Sequence, residues 1–282
     1  MSDKRSTTSQ GKSDKGTAMV TGASAGIGKL FADRLARRGY DLILVARRAD
    51  RLDAVAKDLQ TQYGVSVRTL VADLGNADEL ETVAQSVSTD QDITMLVNNA
   101  GTSTLGSVAE AKKADLEAMI NVNIMALTRL TIAVLPTFKK RNNGTIINIG
   151  SVLGFQSLPI SSIYSGTKGY VLNFTRGLQD ELADTKVVVQ LVAPAAIATD
   201  IWDISGVPLS NLDPATVMTA EHAVDAALSG LDLREKITLP SVDDLQLLAN
   251  YESARMTLLK ASQTSKPANR YSITQLAEMV SQ

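Results

Sequence analysis

From Gly16 onward, short unbroken apolar runs alternate with longer stretches in which apolar residues recur every three or four positions. A strand buried on both faces is apolar along its whole length, as in Asp41–Ala46 (DLILVA). A helix covering such a sheet is apolar along one stripe only, as Leu52, Val55, Ala56 and Leu59 are within residues 49–63. The pattern predicts strands at residues 17–21, 41–46, 65–72, 93–97, 145–150, 187–193 and 236–239. It predicts helices at residues 27–38, 49–63, 77–88, 114–140, 161–183 and 220–230, then 243–259 and 273–280 beyond Pro240. Alternating β and α segments imply a doubly wound parallel sheet with helices on both faces, a Rossmann-type α/β fold in a single domain. A disordered polar tail over residues 1–15, a dinucleotide-binding catalytic domain over 16–240 and a helical extension of it over 241–282 are expected.

Composition narrows the partners. The 282 residues carry 28 basic against 30 acidic side chains, a net charge of −2 with no basic stripe, so neither nucleic acid nor an anionic membrane is an expected partner. With no cysteine and one histidine, His222, no disulfide and no catalytic metal site is expected. The first 15 residues lack the apolar core of roughly 7–15 residues that a secretory signal needs. No apolar stretch reaches the ~20 residues needed to span a bilayer, and a cytoplasmic location is expected.

Between the first strand and first helix lies Thr21-Gly-Ala-Ser-Ala-Gly-Ile-Gly28. Glycines at 22, 26 and 28 permit a tight turn, close backbone approach to a pyrophosphate and close helix–sheet packing. The helix N-terminus behind them offers free N–H groups and partial positive charge to phosphate. At the end of the second strand an acid would bind the ribose 2′-hydroxyl of NAD; this chain has Arg47 and Arg48, suited to a 2′-phosphate. NADP(H) is therefore favoured over NAD(H). Asp73, after the third strand, is either an acceptor for the adenine amino group or the N-cap of the next helix.

Tyr164 and Lys168 lie four residues apart within Ser162-Ile-Tyr-Ser-Gly-Thr-Lys-Gly169, one turn from each other on one helix face. A phenol with a pKa near 10 is a poor acid or base at neutral pH. An ammonium at ~4 Å attracts a phenolate by ~4 kcal/mol at an effective dielectric near 20. That is equivalent to lowering the phenol pKa by up to about three units. Such a tyrosine exchanges a proton with a carbonyl or an alcohol.

Together, T-G-x-x-x-G-x-G at 21–28, Asn98-Asn-Ala-Gly101 after the fourth strand, Ser151 after the fifth and Y-x-x-x-K at 164–168 resemble the short-chain dehydrogenase/reductases in their non-extended branch. The resemblance covers roughly residues 16–240. It implies a catalytic set of Ser151, Tyr164, Lys168 and Asn123, with Asn121 a competing assignment for the last. It further implies cofactor contacts from Gly22, Ser24, Gly26, Ile27, Gly28, Arg47, Arg48, Asp73 and Asn99, from Tyr164 and Lys168, and from Pro194, Ile197 and Thr199. In such an enzyme Tyr164 passes the proton and Ser151 holds the carbonyl oxygen. Lys168 lowers the Tyr pKa and binds ribose hydroxyls, while Asn123 supports a water relay. The family also implies a homodimer or homotetramer built through the helices at 114–140 and 161–183.

The chain departs from the family pattern at Ala195, where Gly usually follows Pro194, and at Ala25, where many NADP-dependent members carry a basic residue. An alanine at 195 tolerates the loop only if positive φ is not required there. Residues 196–215 fall where the family folds a lid over the substrate. Ile201, Trp202, Ile204, Val207 and Leu209 make that lid apolar, facing Leu153, Phe155 and Leu158. An apolar or mixed carbonyl or alcohol substrate is expected, and hence an NADP(H)-dependent oxidoreductase. Two alternatives stand beside it: an NAD-dependent alcohol dehydrogenase, and a non-catalytic sensor that retains the fold.

Overall fold

The computed structural model describes residues 13–271; most of the expected polar tail and all of the expected helix at 273–280 lie outside them. The chain divides into two compact units, Met1–Ser241 and Val242–Gln282. In the first, strands β1 (Thr17–Thr21), β2 (Asp41–Ala46), β3 (Val67–Val71), β4 (Ile93–Asn98), β5 (Gly144–Ile149), β6 (Val187–Val192) and β9 (Ile237–Thr238) form one parallel sheet. Their order is β3-β2-β1-β4-β5-β6-β9. The chain winds outward from β1 in one direction and then from β4 in the other, which makes the sheet doubly wound. A separate two-stranded ribbon joins β7 (Ala196–Ile197) to β8 (Val217–Met218). Its strands are too short to show a hydrophobic period, and the sequence pattern did not predict it.

Each face of the sheet has its own core. On one face α1 (Gly26–Arg37), α2 (Ala49–Tyr63) and α8 (Ala220–Asp232) bury Phe31, Leu35, Leu52, Leu59, Val224 and Leu228 against β1 and β2. On the other, α3 (Ala77–Ser88), α5 (Leu127–Arg141) and α6 (Ser162–Glu181) bury Leu80, Val87, Leu130, Phe138 and Leu178. Local signals set the helix ends: Asn76 caps α3 by accepting from Asp78 and Glu79 N–H, and Gly64 ends α2 at φ 68°.

The expected helix at 114–140 is continuous but not uniform. It comprises α4 (Lys113–Ile120), a π-helical turn over Asn121–Ala126, and α5. π-turns depend on side-chain packing rather than propensity and tend to mark functional sites. By length and composition the whole run, Lys113–Arg141, is apolar enough to cross a membrane, with a window of mean hydropathy 1.6. This corrects the expectation that no stretch reaches that length; part of the run is instead buried against the sheet, through Leu127, Leu130, Val134 and Phe138. The second unit contains α9 (Leu245–Ser262), which has no buried residue.

Candidate active site

All the chemistry-bearing loops leave the carboxyl ends of strands at the edge where β1 meets β4. The glycine turn follows β1, Arg47 and Arg48 follow β2, Asp73 follows β3, Asn99–Gly101 follows β4, Ser151 follows β5 and Pro194 follows β6. In an open parallel sheet this switch point is where ligands bind.

Thr21, the last residue of β1, joins two of these loops. Its hydroxyl donates to Val97 O and accepts from the N–H groups of Asn99 (3.0 Å) and Ala100 (2.9 Å). The Asn99 amide in turn donates to Thr21 O at 2.8 Å, so this side chain fastens the fourth-strand loop to the glycine turn. A Cβ on Gly28 would lie 2.3 Å from Gly22 O, and Gly22 itself has φ 68°, which is why neither position admits a side chain. Helix α1 opens with no side-chain cap and no acid in its first turn. An uncapped N-terminus behind a close glycine turn fits a dinucleotide pyrophosphate.

The cationic end is also in place. Arg48 reaches Ser24 Oγ at 3.4 Å across the glycine turn, and Arg47, 71% exposed, lies 3.8 Å from Asp73. Asp73 is not the N-cap of α3, a role Asn76 fills; it accepts from Gly75 N–H, and its own N–H donates to Glu79. Ile197 is buried with Ala220 and Ala223, with Ile27 packed beside them, and its carbonyl accepts the Trp202 indole N–H at 2.8 Å. Thr199 lies directly over the turn, 3.3 Å from where a Cβ on Gly26 would be. Ala195 meets no conformational obstacle, because Asn142 and Arg234 are the only non-glycine residues with positive φ among the described residues.

Ser151, Tyr164, Lys168 and Asn123 converge. Ser151 sits beside Tyr164 and accepts from Leu153 N–H at 3.1 Å. The Lys168 ammonium lies 5.7 Å from the Tyr164 ring centroid and donates to Ile149 O at 2.9 Å. Asn123, buried in the π-turn, grips both backbone groups of Thr102 at 2.9 Å and donates to Thr167 Oγ at 3.0 Å. Asn121 points elsewhere, to Gly75 O. His222 lies in the first turn of α8, where Thr219 caps its N–H, and among the described residues no cluster could hold a metal.

One electrostatic expectation is reversed. Burial pushes the Tyr164 phenol up to about 12, only partly opposed by the hydrogen bond from Ser151, rather than the lysine pulling it down. Burial likewise pushes the Lys168 ammonium down to about 8. Desolvation acts against the charged form of both groups, and the lysine is aimed at a carbonyl rather than at the phenolic oxygen.

A further site residue, Gly154, has no motif to announce it. A Cβ there would come 2.7 Å from Lys168 O, so the Ser151 loop rests directly on the backbone of α6. Gly154→Ala should lift that loop and lower kcat about tenfold, since sub-ångström misplacement of a reacting group is costly. Stopped-flow NADPH binding measured alongside should be unchanged, because the cofactor cradle lies on other loops.

Residues 16–205 match the short chain dehydrogenase family. The chain belongs to that family. A very-long-chain 3-oxoacyl-CoA reductase of Danio rerio is 38% identical over 208 residues, covering 72% of this chain and 65% of that protein. The chain thus spans about two thirds of the length of such relatives. An NADP-dependent 3-hydroxy acid dehydrogenase of Schizosaccharomyces pombe is 37% identical over 80% of this chain and 90% of its own. Among solved structures, a short-chain dehydrogenase from Sphingobium yanoikuyae in complex with NADPH superposes with a TM-score of 0.87 at 41% identity, covering 91% of this chain and all of that one. A bulky-bulky ketone specific alcohol dehydrogenase from Comamonas testosteroni gives 0.83 at 35% identity, over 91% of this chain and 98% of that one. As a short chain dehydrogenase with reductases and dehydrogenases for relatives, the protein is an oxidoreductase.

Proposed function

We propose that this short chain dehydrogenase is an NADPH-dependent reductase of ketones, working in reverse as an alcohol dehydrogenase. The convergence of Ser151, Tyr164 and Lys168 beside the uncapped α1 turn carries this reading. The glycine turn, Arg47, Arg48 and Thr199 would hold a nicotinamide cofactor, which would supply the hydride. The Tyr164 hydroxyl donates its proton to the carbonyl oxygen as negative charge develops there. Ser151 donates a hydrogen bond to the same oxygen and holds it against the phenol. Lys168 would meet the ribose hydroxyls of the cofactor, and Asn123 fixes the Thr102 backbone beside the lysine. Two similar structures carry NADPH or act on bulky ketones, which supports both cofactor and substrate class. Exposed Met125, Ile132 and Tyr170 on the helices at 114–140 and 161–183 support assembly of copies through these helices.

A screen of ketones and alcohols at pH 7, following nicotinamide absorbance with each cofactor, tests this reading; no turnover of any carbonyl compound would sink it. The pH dependence has a defined sign. Reduction needs Tyr164 protonated, which holds below about 12, and Lys168 charged, which holds below about 8. Its kcat/KM should therefore be level through neutral pH and fall as pH rises through about 8. Alcohol oxidation needs the phenolate and should gain as pH rises.

A further inference from the structure

Two backbone hydrogen bonds build the mouth of the site. Leu105 N–H donates to Ser205 O and Gly106 N–H donates to Ile160 O, both at 2.7 Å. They join the loop after β4, the loop after Ser151 and the lid helix α7 (Ile201–Ser205) into one rim. Thr102, at the start of the first of these loops, is the residue that Asn123 grips, so the rim is continuous with the reacting centre. The lid is held from within: Trp202 is fastened to Ile197 O, and the buried Ser205 hydroxyl bonds Trp202 O and Val207.

The side chains of this rim are of two kinds. Leu158, Ile160 and Ile204 are exposed apolar groups. The charged ones are Asp200 and Asp203, with Asp213 further along the same segment; residues 102–107, 151–161 and 194–216 contain no lysine, arginine or histidine. The cations nearest the rim are engaged elsewhere, and exposed Lys112 lies outside it. Arg51 pairs with Asp200 at 3.6 Å, and Arg176 is buried and stacked 5.6 Å from the Phe155 ring. Lys113, beyond the first loop, pairs with Glu117.

From this rim we infer that the enzyme selects uncharged carbonyl substrates and rejects anionic ones, whether keto carboxylates or thioesters bearing phosphates. The inference rests on the ketone-reductase reading above and adds the charge of the substrate to it. A cleft lined by one sign of charge lowers the local concentration of ligands of the same sign. An anion crossing this rim meets carboxylates and apolar carbon with no cation on the rim segments to receive it, and desolvating it without a partner is costly. A neutral ketone meets only the apolar groups.

The matched pair ethyl 4-oxo-4-phenylbutanoate and 4-oxo-4-phenylbutanoate tests this, since the saturated spacer insulates the ketone from the carboxyl group. With NADPH at low ionic strength, kcat/KM should favour the ester by about thirtyfold, within the 10–10³ range that charged clefts impose on association. Added salt should raise kcat/KM for the acid and leave that for the ester unchanged. Asp203→Asn combined with Asp213→Asn, which touches no reacting group, should narrow the ratio at least threefold by raising the acid alone. Equal or better turnover of the acid would overturn the charge selection and leave the reductase reading intact. So would a ratio indifferent to both salt and the double variant. Turnover of neither compound, nor of any other ketone, would instead overturn the reductase reading and this inference with it.

Discussion

Tyr164→Phe should lower kcat for ketone reduction by about 10³-fold or more, while NADPH binds within a few-fold of its original affinity. General acid catalysis contributes roughly 10²–10⁴ to such a step. Phenylalanine removes the proposed proton donor to the carbonyl oxygen, and burial keeps that proton on the tyrosine at neutral pH. The ring survives the substitution, so the packing of α6 should too. The Ser151 hydroxyl keeps Leu153 N–H as a partner, and its loop should hold its place. Steady-state rates and a fluorescence titration of NADPH on the same preparation check both halves. Residual activity within tenfold of the parent would mean that the proton comes from elsewhere.

That such a test can be framed follows from how the site is distributed along the chain. Motifs confined to a few consecutive residues were legible: the glycine turn, Asn98–Gly101, Ser151, and Tyr164 with Lys168 all lie at the strand ends or helix face that their spacing predicted. The strongly apolar strands were equally legible, and β2, α2 and α3 have the predicted bounds. What escaped were features made by contacts distant in sequence. Asn123 was expected in the site, but not the π-turn that carries it nor its contacts with Thr102 and Thr167, since nothing in NVNIMA specifies them. Gly154 is an unremarkable loop glycine until α6 is laid 2.7 Å from its missing Cβ. The Tyr164 pKa was misjudged for a related reason: spacing reports the neighbouring charge, whereas burial, which dominates here, depends on the whole fold.

Cofactor choice depends on residues that the sequence did single out, and it supplies the second large effect. Arg47→Ala with Arg48→Ala should weaken NADPH about 100-fold and leave NADH within threefold. Each guanidinium offers charge-assisted hydrogen bonds to a 2′-phosphate worth about 1.5–3 kcal/mol, and the exposed setting argues for the lower figure. Two such losses give about 3 kcal/mol, or roughly 100-fold at 1.4 kcal/mol per decade. Neither arginine is tied to the core: Arg47 leans on Asp73 at 3.8 Å and Arg48 on Ser24 at 3.4 Å, so removing them should cost little stability. The contact between Arg47 and Asp73 bears on the design of the test. Asp73 is 42% exposed, and in the double variant it loses the guanidinium that offsets its charge. A lone carboxylate there repels the 2′-phosphate, so the double variant overstates the attraction lost. Adding Asp73→Asn separates the two contributions. If the arginines hold the phosphate themselves, the triple variant should recover only a few-fold of NADPH affinity. If they serve mainly to neutralise Asp73, it should recover most of the 100-fold. Isothermal titration of each cofactor against the three proteins distinguishes these outcomes, and equal losses for NADPH and NADH would remove the 2′-phosphate assignment altogether.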